Sequence, residues 1–251
     1  VLIPLLVAAP LLVPESRDPN PGRIDVVSIA LSMAAMIPVV YAIKSLAVDG
    51  PSLTAGAWAL LGIAMGYLFV RRQLSAEVPM LDMALFRRGS FSGAILVNLL
   101  SVVALVGFLY FVSQHLQLVL GLSPMAAGAA LVPGMLAMIV AGLSVVPISR
   151  RVRPHVLVPA GLVFSVGGYL LVAFTTVDHG VAPLIIAFVV LGIGIGAAET
   201  ISNELILSSA PAEKAGAASA VSETAYELGA VLGTAVLGGL ITAFYRGALE
   251  V

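Results

Sequence analysis

The stretch Ala215 to Tyr245 (AGAASAVSETAYELGAVLGTAVLGGLITAFY) carries two acids, Glu223 and Glu227, in a run of otherwise small and apolar residues. Four residues apart on a helix, their carboxylates share one face. If the helix enters a membrane near Ala215, a 1.5 Å rise per residue places Glu223 about 12 Å and Glu227 about 18 Å along it. Glu227 is then close to the midplane of a hydrocarbon core ~30 Å thick. An ionised carboxylate at that depth costs at least ~2.5–3.5 kcal/mol, so each is expected to be protonated, paired or turned toward water. Two chemistries satisfy this demand. Protonated carboxyls can bridge helices as hydrogen-bond donors, or the pair can bind protons and a cation in turn.

Other polar side chains in apolar runs are weaker candidates. Tyr226 stands beside the acids and offers a ring face to a cation or a hydroxyl to a carboxylate, with plain packing as its simpler role. Glu199 falls in the inner third of the 182–207 run and is a second-tier site candidate, while Glu204 is nearer the interface and expected to be solvated. Asn98 and Ser101, spaced i, i+3, either line a cavity or bond another helix. His115, His155 and His179 fall at three different run ends with no HxxxH spacing and no carboxylate company, so no metal site is expected. No nucleophile is paired with a base, and no enzyme activity is expected. Gly192-Ile-Gly-Ile-Gly196 follows no strand and has the wrong spacing for a dinucleotide fingerprint. Its GxxxG spacing, like that of Ala225, Gly229 and Gly233, predicts close backbone approach between helices.

The elements that position these residues follow from composition. The chain has 251 residues, 60% hydrophobic and only 10% charged. Glycine lifts the apolar share to about 70%, against ~45–50% in soluble domains, and the mean hydropathy is +1.12. Such a chain is not a water-soluble globule. The apolar runs are continuous rather than alternating, which excludes an outer-membrane barrel and predicts an all-α, polytopic membrane helix bundle. Seven complete spans are expected: Val26 to Val48, about Leu53 to Val70, Phe91 to Val112, Pro124 to Val146, Val156 to Thr175, Ala182 to roughly Leu207, and Ala215 to about Tyr245. Val1 to Val13 is too short to cross and is expected to be the tail of a helix, followed by a polar break at Glu15 to Arg23. The stretch 73–89 is charged but holds Met80, Leu81, Met83, Leu85 and Phe86, and suits an amphipathic segment along the interface. Ser123-Pro124 opens a helix as N-cap and first-turn proline, and Pro133 and Pro147 are expected to bend it.

Placing the Glu15 to Arg23 loop in the cytoplasm puts ten of the twelve basic residues on that side, leaving out only Lys44 and Arg246, which fixes the orientation. A net charge of -1, with no basic stretch interleaved with aromatics, argues against nucleic acid as a partner. The absence of cysteine excludes disulfides and thiolate metal sites. A retinal protein would need a lysine in the last span, which has none. A non-transporting seven-helix protein and an uncoupled or sugar-type facilitator stay open as alternatives, although Asn98, Gln114, Gln117 and Asn203 are few amides for a sugar site.

Three runs carry a resemblance: PMLDMALFRRGSFSG at 79–93, SPMAAGAALVPG at 123–134, and KAGAASAVSETAYELGAVLGTAVLG at 214–238. Together they resemble the fourteen-helix drug:proton antiporters of the major facilitator superfamily, and in particular the exporters of quaternary ammonium compounds and dyes. The penultimate helix of those exporters bears a V-acid-acid-x-x-Tyr-acid-Leu-Gly arrangement. Here Glu223 and Glu227 match two of the acids, and Ser222 stands at the first. The resemblance implies proton-coupled efflux of small lipophilic or cationic drugs across the cytoplasmic membrane, with Glu223 and Glu227 as the proton-coupling and substrate residues. Tyr226, Glu199 and Asn98 would belong to the substrate cavity. It implies no cofactor, a proton gradient as driving force, and protons, drug-like substrates and the lipid bilayer as partners of a monomeric chain. GLSVVPISRRVRP at 142–154 is similar to a second copy of the family's basic-loop motif, which maps Arg150, Arg151 and Arg153 to a cytoplasmic latch, with positive-inside anchoring as the alternative role. The implied organisation is a helix tail and cytoplasmic loop at 1–23, two linker helices at 24–72, the amphipathic segment at 73–89, and five helices of a six-helix bundle at 90–251. The chain is then expected to be a fragment that does not transport alone.

Overall fold

The computed structural model describes residues 25–76, 79–175, 180–211 and 214–249, apart from the side chains of 48, 49, 237 and 239–249. The expected helix tail, the polar break after it and His179 lie outside the described residues. Seven α-helices follow in order: α1 (Val26–Asp49), α2 (Leu53–Ser75), α3 (Gly89–Gln114), α4 (Pro124–Ser149), α5 (Pro154–Ala173), α6 (Ala182–Ser209) and α7 (Ala215–Leu249). No strand occurs among the described residues. Six stretches, from Val26–Ala47 to Ala182–Ser209, are long and apolar enough to cross a membrane, and α7 adds a helix of 35 residues.

Local chemistry sets the helix starts. Asp25 caps α1 by accepting from the Ser28 N–H at 3.1 Å, Ser52 caps α2 through Ala55 at 3.1 Å, and Ser123 caps α4 through Ala126 at 3.3 Å. Each side-chain oxygen satisfies one of the orphan N–H groups of a first turn. Helix α4 continues through Pro133 and Pro147. Helix α2 runs five residues past the expected end at Val70, because its polar last turn finds partners. Arg72 Nη2 lies 2.9 Å from Asp25 Oδ1, and Gln73 donates to Ser28 Oγ at 2.7 Å while accepting from the Leu81 N–H at 3.0 Å. The Arg72 guanidinium, followed by Ser28, holds the Asp25 carboxyl well below the ordinary carboxylate range. Of the 73–89 segment, Gln73 to Ser75 complete α2, and Met83–Arg87 form a 3₁₀ turn that buries Leu85 and exposes Phe86.

Helix α6 is the axis of the bundle, packed by α4 and α5 on two sides and by α3 on a third, while α7 lies chiefly against α3 and α1 pairs with α2. Glycines make these seams close. A Cβ on Gly192 would meet the Gly134 carbonyl oxygen at 2.5 Å, and one on Gly196 would run into that of Met138. On another face of α6, Gly194 meets Gly161 and Ser165 of α5. Along α3 and α7, Cβ atoms on Gly229 and Gly233 would lie 2.8 Å from the carbonyl oxygens of Leu99 and Val103. Both expected GxxxG stripes are thus helix seams.

The order of these contacts also gives direction. Rising numbers on α4 meet rising numbers on α6, as they do between α3 and α7, whereas α5 runs against α6. Alternation therefore holds, and the N-terminal ends of α3, α5 and α7 share one end of the bundle with the C-terminal ends of α4 and α6. Arg88 Nη1 donates to the Ser209 carbonyl at 2.8 Å across that end. Arg87, Arg88, Arg150, Arg151, Arg153 and Lys214 collect there, and it is called the basic end below.

Two apolar clusters flank the middle. At the basic end Leu85, Phe91, Ala94, Ile206 and Ala218 pack together. Toward the opposite end Phe108 and Val112 of α3, with Leu116 in the π-helical turn that follows it, meet Leu184, Phe188, Leu191 and Ile195 of α6. Phe108 stacks on Phe188 with centroids 5.1 Å apart and meets Tyr169 edge-on, and the Tyr169 hydroxyl donates to the Ala104 carbonyl.

Candidate functional site

Between these clusters α3, α4, α6 and α7 leave a groove of about 450 Å³. Its α4 wall is apolar or bare backbone, from Met138 and Ile139 to Val146. Its polar wall comes from three helices: Asn98 of α3, Glu199, Thr200 and Asn203 of α6, and Ser222, Glu223 and Tyr226 of α7. The site exists because α6 changes character at Gly196. Before it, α6 presents Phe188, Leu191 and Ile195 to its neighbours, and after it the residues spaced one turn apart are Glu199 and Asn203. Gly142 of α4, seated against Thr200, keeps the opposite wall low.

The structure brings Glu223, Tyr226, Glu199 and Asn98 of the sequence candidates to this one groove. Glu227 lies one turn further along α7, exposed on the same face as Glu223 but not among the lining residues. Glu199 is half-buried, whereas Glu204 is exposed. Arg150, Arg151 and Arg153 lie in the turn between α4 and α5, with Arg153 opening α5, at the basic end and away from the lining. Ser101 is buried without joining the groove.

Sequence reasoning did not assemble the junction at the back of the groove. Asn98 Nδ2 donates to Ser222 Oγ at 2.9 Å, and Ser222 donates to Asn203 Oδ1 at 3.2 Å. One hydroxyl therefore joins α3, α6 and α7. Thr200 bonds backward to the Gly196 carbonyl at 2.7 Å, within its own helix. The available signal was the spacing of Glu199 and Asn203, together with a serine where an acid was expected. The groove thus offers carboxylates, a phenol ring and amides beside an apolar wall, a combination suited to holding an organic cation without many directional contacts.

The family profile described as Major Facilitator Superfamily matches residues 3–234. The chain belongs to the Major Facilitator Superfamily. Over all 251 of its residues it is 53% identical to the multidrug efflux pump LfrA of Mycolicibacterium smegmatis, of which it covers 50%. It is 31% identical over 217 residues to the methyl viologen resistance protein SmvA of Salmonella typhimurium, covering 86% of this chain and 44% of that one. To the tetracenomycin C resistance and export protein of Streptomyces glaucescens it is 32% identical over 243 residues, 94% of this chain and 44% of the relative. The chain spans about half the length of the curated relatives it matches. As a major facilitator it is a multi-pass membrane protein of a transporter family, in keeping with its apolar helices.

Proposed function

We propose that this chain is half of a proton-coupled exporter of lipophilic and cationic drugs in the cytoplasmic membrane, and that Glu223 and Glu227 bind protons and substrate in turn. The observation that supports this reading is the convergence of Glu223, Glu199, Asn98 and Tyr226 on one groove between the two apolar clusters. A cation entering from the cytoplasm meets carboxylates in a setting that hydrates charge poorly, so it competes with protons for them. Proton entry from the other side then releases the cargo. Glu227 and Tyr226 stand on the exposed face of α7, where a second half closing over the site would complete it, as two halves rocking about a midplane site require.

In this reading α1 and α2 are linker helices, residues 90–251 supply five helices of the second bundle, and Arg150, Arg151 and Arg153 form the cytoplasmic latch. No cofactor is needed, since the proton gradient supplies the work. The test is made in the intact carrier. Glu227→Gln is expected to abolish proton-driven dye efflux and to flatten its pH dependence, and efflux that keeps both its rate and its pH profile contradicts the assignment.

A further inference from the structure

Away from the groove, α1 and α2 enclose a second cavity of about 520 Å³. The two helices run antiparallel, since Ser28 bonds Gln73 while Gly62 meets Ala35 and Val39. Val27, Arg71, Arg72 and Ser75 therefore form its mouth, and Leu31 and Leu68 lie one turn deeper than Val27 and Arg72. The mouth is at the level of the basic end. The apolar run of α2 stops at Val70, and Gln73 is tied to Leu81, just before the 3₁₀ turn whose Leu85 packs there. Charge thus sits over an apolar floor between two membrane helices.

The two arginines are unlike. The Asp25 clasp uses Nε and Nη2 of Arg72 and leaves Nη1. Arg71 is exposed, and its guanidinium has no partner among the described residues. One carboxylate against two guanidiniums leaves a net charge of +1 among the described residues around the mouth. Anchoring by positive charge asks only that a guanidinium reach water, and accounts for neither the cavity nor its apolar floor.

We propose that this cavity binds an anionic phospholipid, with the phosphate on Arg71 and on Nη1 of Arg72 and the acyl chains over Leu31 and Leu68. Basic pockets between membrane helices suit such headgroups, and a guanidinium fork matches a phosphate. A free phosphate would use the mouth alone and leave the floor bare. A zwitterionic lipid would bring its own cation toward the same guanidiniums. The site is independent of the drug groove, and its occupant would hold α1 and α2 together beside the clasp.

The test titrates palmitoyl-oleoyl phosphatidylglycerol or phosphatidylcholine onto the delipidated intact carrier in detergent, and counts bound lipid by native mass spectrometry. The first phosphatidylglycerol is expected to bind at least about tenfold more tightly than phosphatidylcholine, the worth of a charge-assisted hydrogen bond, and Arg71→Gln to remove most of that preference. Arg87→Gln takes an equal charge from the same end of the bundle but not from the cavity, and is expected to change the affinity less than about twofold. Lipid-free melting of both variants should match the wild type. Equal affinities for the two lipids overturn the assignment, as do equal losses from Arg71→Gln and Arg87→Gln, the mark of a general attraction to the basic end. Displacement of the lipid by inorganic phosphate, beyond that caused by chloride at equal ionic strength, would make a free anion the ligand and overturn it. A carrier that binds neither lipid has its cavity filled by another part of the protein, which also overturns it.

Discussion

The same helices build two unlike regions. Toward the far end, α3 and α6 meet through Phe108, Val112, Leu116, Phe188 and Leu191 in a packed apolar cluster. In the middle, short of the smaller apolar cluster at the basic end, those two helices with α4 and α7 leave a groove of about 450 Å³. A helix break does not separate them, since α6 is continuous through both and α3 passes into its closing π-helical turn only at His115. What changes is side-chain size and polarity on matching faces, from Phe188, Leu191 and Ile195 to Gly196, Glu199 and Asn203. A half-bundle can thus be packed toward its ends and receptive between them without a break in α6. Stability belongs to the sealed part, and chemistry to the part where packing has been given up.

If that division is right, the largest effects on folding come from the sealed part and its seams. Gly192→Val drives a branched side chain into the Gly134 carbonyl, and such overpacking against backbone is expected to cost about 3 kcal/mol or more. The yield of folded protein in detergent should collapse. Gly128→Ala, where an added Cβ meets nothing within 4 Å, should leave the yield unchanged. Phe188→Ala opens a cavity in the aromatic stack and is expected to destabilise by about 3–5 kcal/mol, read as a lowered midpoint in thermal unfolding. In the groove, Thr200→Ala removes a bond made within one helix and should cost less than about 1 kcal/mol, leaving the same midpoint nearly in place. Equal losses from Phe188→Ala and Thr200→Ala would erase the distinction between the regions.

The smallest effect is expected at the α1–α2 clasp. Asp25→Asn keeps a competent N-cap but removes the ion pair with Arg72, and because the pair is exposed, the melting temperature should fall only slightly. Its pH behaviour has a definite sign. The Asp25 carboxyl is held below its ordinary range, so the clasp contributes fully above that ordinary range and is lost only as pH falls toward the depressed value. Melting of the wild type relative to Asp25→Asn should therefore show no change in their difference between pH 7 and pH 5. A difference that vanishes within that interval would mean that the clasp does not form.

Much of the architecture was legible because bilayer dimensions and capping chemistry are local. Ser123-Pro124 marks the start of α4, and the glycine stripes announce the seams. The end of α2 was not legible, since the apolar run stops at Val70 and the charged residues after it gain their helical partners only when Asp25 and Ser28, more than 40 residues away, are brought beside them. The π-helical turn His115–Val119 that extends α3 has no signature in residue type. For the site, Glu223 and Glu227 were conspicuous because carboxylates are costly in apolar runs, and Asn98 because it is polar in mid-span. The junction of Asn98, Ser222 and Asn203 depends on which faces of three helices meet, and ordinary polar residues do not reveal that in a single sequence.

The central claim is that the α7 carboxylates exchange protons for a cation. It is tested most directly by counting protons released when tetraphenylphosphonium is added to the purified intact carrier in weakly buffered solution. The account predicts release that rises with bound ligand in the wild type and is lost when Glu223→Gln and Glu227→Gln are combined. Ligand that binds the wild type with no proton released, or release that persists undiminished in the double variant, would contradict it.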